Sequence, residues 1–247
     1  MNQPEDFERR WRRRFVERGA QLDDDAGIAG WTPTGLNSRV RQFRHWWGQA
    51  DPVPGRWLDI GCGAGTYTRM LQAEGYEAVG IDYSSPSVGK ARDRSPEGIG
   101  WLAGDIHRLP FPEAVADGIL CFGVMQAIVR PDTALAEMAR VLRPGGELWV
   151  DALNADCLPT RIREARRRRA GRPPHLRYDT RSGLLQAAAD AGLERISAHW
   201  MPLVPGRVAF LQPLFESGPG RGLLHLVPPL GSALSHSFIL RLRRPAD

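Results

Sequence analysis

Three glycines, Gly61, Gly63 and Gly65, alternate with other residues directly after a short apolar run. The run over residues 57–60 is typical of a buried inner strand, and residues 66–73 are predicted to continue as a helix. Glycine lets the backbone turn sharply and approach a ligand closely. The free N–H groups at the start of a helix favour a polar or anionic group there. These residues therefore predict a ligand-binding turn between a strand and a helix.

The spacing of the glycines distinguishes between two kinds of cofactor. In the dinucleotide-binding fingerprint, the third glycine comes three positions after the second. That position is Thr66 in this chain, and the third glycine comes one residue earlier. The spacing argues against a nicotinamide cofactor, although an NAD-dependent oxidoreductase would share the fold and stays an alternative.

Acidic residues end the next two predicted strands. Residues 77–82 form a short strand ending at Asp82, which lies 17 residues after Gly65. This is close to the interval of roughly 20 residues at which a carboxylate meets a ribose in doubly wound folds. Because a carboxylate can accept hydrogen bonds from both ribose hydroxyls, Asp82 is the predicted ribose ligand, with Tyr83 beside the base. Residues 99–105 form a third strand that ends at Asp105.

The pattern Asp59-x-Gly61-x-Gly63-x-Gly65 resembles motif I of the class I S-adenosylmethionine (SAM) dependent methyltransferases. Residues 56–151 also resemble that family in the order of their motifs, including the Leu-Arg-Pro-Gly-Gly connector that ends at Gly146. The similarity is to the broad type 11 group, which includes quinone-ring methyltransferases. It implies a Rossmann-like α/β fold, doubly wound, with a mostly parallel seven-stranded sheet and an antiparallel C-terminal hairpin.

The resemblance also implies SAM as the cofactor and assigns its contacts. The acid of motif I helps to place the amino acid end of SAM, and the Asp105 carboxylate accepts from the adenine amine. The loop after the fourth strand borders the methyl group. The cofactor-binding residues expected on this basis are Asp59, Gly61, Cys62, Gly63, Gly65, Asp82, Tyr83, Gly104, Asp105, Ile106, Phe122, Gly123 and Gln126.

The resemblance does not assign a catalytic residue. Many relatives carry a histidine directly after the glutamine of the fourth-strand loop, where this chain has Ala127. His175, Tyr178 and His199 are candidates for a proton acceptor or an orienting group. No metal site is expected, because the acids and amide over residues 151–156 are loosely spaced. A catalytically silent SAM-binding partner protein therefore stays an alternative to an enzyme.

The acceptor is expected to be a small molecule, aromatic or lipid-like. The fourth strand ends in Cys121-Phe-Gly-Val, and not in the Asn/Asp-Pro-Pro-aromatic tetrad with which nucleic-acid amino methyltransferases hold a planar amine. Cys157 follows Asp156 and not the proline of cytosine-C5 enzymes. The apolar residues over 203–230 favour a lipidic or aromatic substrate. The arginines over 161–169 are predicted to form a solvated helix, so nucleic acid is not an expected partner.

Composition indicates a globular protein of the cytoplasm. The chain has 247 residues, 42% of them hydrophobic and 25% charged. Its net charge is +5, and its basic residues are almost all arginine. Three widely spaced cysteines without a Cys-x-x-Cys pair fit a reducing compartment. No apolar leader and no membrane span are predicted, which leaves peripheral membrane contact open. The composition assigns no oligomeric state.

The chain is expected to have two parts. Residues 1–50 are predicted to form an N-terminal helical lid, and residues 51–247 to form the SAM-binding domain, with substrate-side insertions at about 152–177 and 201–235. In the lid, apolar residues at helical spacing predict two helices with a loop between them. These three segments are residues 4–18, the loop 21–32 and residues 34–49.

Overall fold

Seven strands form one sheet in the computed structural model, which describes residues 3–202, 204 and 210–246. The strands are β1 (Arg56–Ile60), β2 (Glu77–Asp82), β3 (Gly100–Ala103), β4 (Ala116–Cys121), β5 (Leu142–Leu153), β6 (Glu194–Met201) and β7 (Ser237–Arg243). Their order in the sheet is β3-β2-β1-β4-β5-β7-β6. β7 runs antiparallel to β5 and β6, and the other pairs are parallel. The predicted fold class is therefore confirmed, including its antiparallel edge.

Helices connect the parallel strands except β3 and β4, which are joined by a segment without a helix. The described helices are α1 (Gln3–Gln21), α2 (Asp25–Ala29), α3 (Pro33–Ala50), α4 (Thr66–Ala73), α5 (Ser85–Asp93), α6 (Pro131–Val141), α7 (Leu158–Arg169), α8 (Arg181–Asp190), α9 (Gln212–Glu216), α10 (Gly218–Leu226) and α11 (Pro228–Leu234). A short 3-10 helix, Met125–Ala127, follows β4. The Ser84 and Thr180 side chains accept from backbone N–H groups in the first turns of α5 and α8. Both helices begin at these residues because such caps satisfy otherwise unpaired N–H groups.

Two buried clusters cover the opposite faces of the sheet. Consecutive side chains of a strand point to opposite faces. Leu148 and Val150 of β5 accordingly pack in a mainly aliphatic cluster, whereas Trp149 between them packs in an aromatic one. Leu58 and Trp57 of β1 are divided in the same way. Burial on both faces explains why these inner strands have continuous apolar sequences.

The aromatic cluster fixes α3 against the sheet. Phe43 of α3 has its ring centroid 5.4 Å from that of Trp149 and 4.8 Å from that of Phe122, both in edge-to-face contact. Trp47, one helical turn later, makes an edge-to-face contact with Trp57 at 4.8 Å. Such pairs add about 0.5–1.5 kcal/mol each to the effect of burial. α3 is therefore anchored directly behind the ends of β1 and β4.

Three segments have local structure that the sequence did not predict. The predicted loop over 21–32 contains α2, since Asp24 caps its start and Gly30 ends it in a left-handed conformation at φ 79°. Its five residues are too few to show helical periodicity. The predicted Arg143-Pro-Gly-Gly146 turn is the beginning of β5, which pairs with β4 through a register shift. The segment after β6 contains α9, α10 and α11, while residues 203 and 205–209 of the predicted insertion lie outside the described residues.

Candidate functional site

A cleft opens at the carboxyl ends of the parallel strands. It holds about 1150 Å³ of space, open solvent at its mouth included, and is lined by the residues that follow β1, β2, β3 and β4. The strand order reverses between β1 and β4, because β2 and β3 lie on one side and β5 on the other. Ligands of doubly wound sheets bind at this switch point, outside the carboxyl ends of the strands. The cleft is therefore where this fold places a ligand.

The glycine loop forms the floor of the cleft. Gly61 and Gly63 line it with φ values of 78° and 53°, in the left-handed region that favours glycine. The N–H groups of Gly61 and Cys62 both donate to the carbonyl oxygen of Ile81, at 2.7 and 3.0 Å. A Cβ atom on Gly61 would overlap the Val124 side chain. The loop is thus held in a shape that only glycine permits at this position.

Asp82 holds the glycine loop from the end of β2. One carboxylate oxygen accepts from the N–H of Gly63 at 2.8 Å, and the other accepts from the N–H of Ser84 at 2.7 Å. Burial raises the pKa of Asp82 above its ordinary value, and the two backbone hydrogen bonds oppose that effect. The carboxylate lines the cleft, and the Tyr83 ring beside it is 48% exposed. Asp82 therefore presents a partly satisfied acceptor to a ligand.

Helix α1 lies across the opposite wall of the cleft. Nη2 of Arg12 is 2.7 Å from one oxygen of Asp105, and its guanidinium lies 4.4 Å from the centroid of the Tyr83 ring. The other Asp105 oxygen accepts from the N–H of His107 at 3.0 Å. Arg12 of the N-terminal segment thus occupies both groups at which the sequence predicted adenine.

Glu8 ties the same helix to two loops. Its Oε1 accepts from Arg12 at 2.7 Å, and its Oε2 accepts from the N–H of Val129 at 3.0 Å. Nε2 of His107 lies 3.3 Å from the same Oε1. The hydrogen bond with His107 is the largest of the effects that lower the pKa of Glu8 to about 2. α1 is therefore fastened by charged contacts to the loops that follow β3 and β4.

A second polar group lies at the other end of the cleft. Arg39 of α3 is buried, forms an ion pair with Asp151, and donates to the Ser237 hydroxyl at 3.1 Å. Its guanidinium lies 4.2 Å from the centroid of the Trp31 ring. Asp151 also accepts from the N–H of Gly123 at 2.7 Å. The ion pair therefore joins α3 and β5 to the loop after β4.

Tyr67 and Phe122 complete this end of the cleft. Their rings meet edge to face with centroids 5.0 Å apart, and both residues line the cleft. Burial raises the pKa of Tyr67 to about 12, so its hydroxyl stays protonated at neutral pH. Five residues that line this end of the cleft are called the acceptor subsite below: Trp31, Arg39, Tyr67, Phe122 and Gly123.

Comparisons with known proteins agree with this geometry. Residues 58–150 match the type 11 methyltransferase domain family. The demethylmenaquinone methyltransferase of Beutenbergia cavernae is 40% identical over 97 residues, 38% of this chain and 39% of that protein. The fatty-acid O-methyltransferase of Mycolicibacterium smegmatis is 34% identical over 143 residues, 56% of this chain and 52% of that protein. This chain thus spans about half or less of the length of these curated relatives.

A solved structure supplies the fold-level match. The SAM-dependent methyltransferase of Thermotoga maritima, a possible histamine N-methyltransferase, superposes with a TM-score of 0.60 at 19% identity. The match covers 85% of this chain and 91% of that one, and at this identity it concerns the fold alone. Residues 58–150 are a methyltransferase domain of the type 11 family. The type 11 resemblance seen in the sequence is therefore confirmed at the level of the domain.

The methyltransferase domain brings most of the predicted cofactor residues together. Those that line the cleft are Gly61, Cys62, Gly63, Asp82, Tyr83, Gly104, Asp105, Ile106, Phe122 and Gly123. Gly65 instead begins α4 at φ 83°, where a side chain would meet the Trp101 ring. Gln126 donates to the carbonyl oxygen of Gly123 at 2.7 Å and does not line the cleft. Gln126 therefore acts on the loop and not directly on the cleft.

The three candidate proton acceptors lie outside the cleft and outside residues 58–150. The His175 carbonyl accepts from the Trp11 indole at 2.9 Å, and the Tyr178 hydroxyl accepts from Arg163 at 2.9 Å. The His199 ring stacks on Trp46 with centroids 4.9 Å apart, and burial lowers the pKa of His199 to about 4. None of the three lines the cleft. Each has a packing or hydrogen-bonding role where it lies.

Sequence reasoning missed several cleft residues, among them Trp31, Arg39 and Tyr67. Arg39 was detectable, because it lies between Leu36 and Phe43 on the face of a predicted helix that is otherwise apolar. A charged residue on a buried face needs a partner or a ligand. Trp31 lay in a predicted loop, and Tyr67 followed the glycines without a distinguishing pattern. Only the tertiary structure places these two beside Arg39.

Within the described residues, no helix is both long and apolar enough to cross a membrane. Over the same ranges, His, Cys, Asp and Glu side chains do not form a group of three or more that could hold a metal ion.

Asp59 of motif I is buried beneath the loop and does not line the cleft. It accepts from the Thr68 hydroxyl at 2.6 Å, which ties β1 to α4. Burial is the main cause that raises its pKa from 3.8 to about 7, against the opposing hydrogen bond from Thr68. In the structure, Asp59 therefore joins two elements of the domain and reaches no ligand space.

Asp59→Asn is expected to stabilise the protein above pH 7. Because the folded protein holds this proton more tightly than the unfolded chain, stability falls as pH rises from about 4 to about 7. A rise from 3.8 to about 7 corresponds to about 4 kcal/mol at about 1.4 kcal/mol per pKa unit. An unpaired amide costs about 1–3 kcal/mol, so the net gain should be about 1–3 kcal/mol. Urea unfolding at pH 4 to 8 measures it. Asp93→Asn, at an exposed position on α5, is the control. An equal gain at pH 4 and pH 8 would contradict this account.

Proposed function

We propose that the chain is a SAM-dependent methyltransferase that acts on a small-molecule, aromatic or lipid-like acceptor. The observation that carries the proposal is the cleft at the switch point, whose glycine loop is hydrogen-bonded to Asp82. Two of the relatives, a demethylmenaquinone methyltransferase and a fatty-acid O-methyltransferase, support an acceptor with apolar character.

The residues present fit SAM. A Cβ atom on Gly63 would find only Ile28 within 4 Å, so the loop leaves open space where a cofactor can approach the backbone. The Asp82 carboxylate would hold the ribose hydroxyls, and Tyr83 and Ile106 would flank the adenine. SAM supplies an activated methyl group when bound, while the protein aligns the acceptor and excludes water.

The two-part organisation is retained as part of this proposal. Trp11 and Phe15 of α1, Ile28 of α2 and Arg39 of α3 all line the cleft, which supports residues 1–50 as a lid. Leu223 and Leu226 of α10 are 52% and 81% exposed, consistent with a substrate-side role for the insertion at about 201–235. Deletion of residues 203–230 should reduce acceptor binding while SAM binding survives.

Calorimetric titration with SAM, S-adenosylhomocysteine (SAH) and NADH tests the cofactor assignment. Micromolar binding of SAM and SAH, near −8 kcal/mol, is the expected result. Binding of NADH alone would favour the oxidoreductase alternative. SAH formation is then measured across a library of amines, phenols, quinols and carboxylic acids. SAM binding without transfer to any acceptor would favour a silent SAM-binding partner.

Arg12→Ala is expected to tighten SAM binding by up to about fivefold and to speed association. Arg12 occupies Asp105 and Tyr83, which the proposal assigns to adenine, so its contacts must be given up on binding. A partly exposed ion pair is worth about 0.2–1 kcal/mol, which sets the limit on the gain. Calorimetry and stopped-flow fluorescence measure the two effects. Arg13→Ala, which changes an exposed arginine of the same helix, is the control. Weaker binding by the Arg12 variant would instead make Arg12 a cofactor contact.

A further inference from the structure

We propose that the acceptor is a carboxylic acid, which binds in the acceptor subsite and is methylated on oxygen. This inference rests on the proposed methyltransferase function and names its substrate class. Three features carry it: the ionisable groups that line the cleft, the hydrogen-bond donors of the subsite, and the apolar walls beside them.

The cleft holds no free general base among the described residues. Its ionisable lining residues are Glu8, Arg12, Asp25, Arg39, Cys62, Tyr67, Asp82, Tyr83 and Asp105, with no histidine or lysine. Arg12 pairs with both Glu8 and Asp105. Asp25 accepts from the Thr66 hydroxyl at 2.5 Å and pairs with Arg69 at 2.6 Å. These carboxylates are therefore already in ion pairs or hydrogen bonds, and they are poorly placed to remove a proton from an acceptor at neutral pH.

A carboxylic acid needs no base, because its ordinary pKa near 4 leaves it ionised at neutral pH. A phenol or an aliphatic amine has its ordinary pKa near 10 and is protonated there. The burial that raises the pKa of Cys62 well above its ordinary value makes that thiol equally unsuited to remove a proton. The lining thus suits an acceptor whose reactive form is already present in solution.

The polar groups of the acceptor subsite are hydrogen-bond donors. The Tyr67 hydroxyl has no hydrogen-bond partner among the described residues and is kept protonated by burial. A Cβ atom on Gly123 would lie 3.7 Å from Nε1 of Trp31, which places the indole N–H over the loop after β4. Indole and protonated tyrosine can both donate to an anionic oxygen.

Two acceptor groups of the same region, the Asp151 carboxylate and the Gly123 carbonyl, are already engaged. Asp151 pairs with Arg39 and accepts from Gly123, while the Gly123 carbonyl accepts from Gln126. The Arg39 charge is therefore balanced, and recognition depends on directed donors from Tyr67 and Trp31. A neutral amine or a protonated hydroxyl would find few partners for its own N–H or O–H groups. A carboxylate oxygen, which only accepts hydrogen bonds, matches the donors of Tyr67 and Trp31.

Apolar side chains provide room for the rest of the acid. Ile28, Leu36 and Val124 line the same cleft beside the subsite. In the reaction, one carboxylate oxygen donates the electron pair of the new O–CH3 bond. The C–S bond of the sulfonium breaks and its electron pair stays on sulfur, giving a methyl ester and SAH. No proton is transferred, which agrees with the absence of a free base among the described lining residues.

Acid binding is measured first, without turnover. Octanoate, dodecanoate and phenylacetate are titrated into the SAH-saturated protein, each beside its primary carboxamide. We expect an acid to bind and its carboxamide not to bind. Tyr67→Phe should weaken acid binding about tenfold, as expected for loss of a hydrogen bond to a charged group, with SAH affinity unchanged. Tyr76→Phe is the control, because that tyrosine packs on Trp47 outside the cleft.

Transfer is measured second, with methyl-labelled SAM and the same compounds. Label in the product should be released by alkali, as from a methyl ester, and the rate should be flat between about pH 6 and 9 because the acid stays ionised. A rate that rises with pH, an alkali-stable product, or no acid bound by protein that binds SAH would overturn the carboxylate proposal. Failure to bind SAM and SAH at all would overturn the proposed function itself.

Discussion

Asp82→Ala is expected to weaken SAM binding by about 30-fold or more. The variant removes the acceptor for the N–H groups of Gly63 and Ser84, which fixes the glycine loop, and also the proposed partner of the ribose. A hydrogen bond to a charged group is worth about 1.5–3 kcal/mol, or about 10- to 150-fold in affinity. Titration of the variant with SAM and SAH measures the loss.

Two further variants serve as comparisons for Asp82→Ala. Asp82→Asn keeps one carbonyl acceptor and loses the charge, so its affinity should lie between those of Asp82→Ala and the wild type. Asp93→Ala changes an exposed acid on α5 and should leave binding unchanged. Circular dichroism and thermal melting establish that each variant is folded. A folded Asp82→Ala protein with wild-type affinity would contradict the placement of the ribose at Asp82.

The part of the site that follows from the sequence is the part made by local backbone geometry. Gly61, Gly63 and Asp82 could be predicted because a strand end, a tight turn and a second strand end fall at regular intervals in doubly wound folds. The structure brings these three residues into one cleft. The mostly parallel sheet could be predicted for the same reason, since alternating strands and helices restrict the connections.

Contacts between distant segments did not follow from the sequence. Arg12 reaches Asp105 across 93 positions, and no local pattern indicates that pairing. Asp59 was expected at the cofactor because motif I places an acid there, but its side chain points beneath the loop to Thr68. His199 was considered as a proton acceptor, although its position on β6 stacks it against Trp46. A residue's type and spacing therefore indicate its element, while packing decides which way its side chain faces.

Arg39→Met is expected to lower the free energy of unfolding by about 3–5 kcal/mol, because removing one partner of a buried ion pair leaves the other charge uncompensated. Asp151 would be that charge, buried at the end of β5 behind the Gly123 loop. Urea unfolding measures the loss as a shift of the midpoint at constant m value. Arg41→Met on the same helix is the control, since the side chain of Arg41 is 56% exposed and surface pairs contribute about 0–1 kcal/mol.

The double variant Arg39→Met, Asp151→Asn should be more stable than Arg39→Met alone by about 2 kcal/mol or more, because no buried charge is left unpaired. Asparagine at position 151 keeps an oxygen that can accept from the N–H of Gly123, so the loop should stay in place.

A cost for Arg39→Met no larger than that for Arg41→Met would show that water reaches the pair. If the double variant recovers stability but binds octanoate as the wild type does, Arg39 supports the acceptor subsite by packing alone. Recovery of stability with weakened octanoate binding would instead assign the guanidinium a direct part in holding the acid.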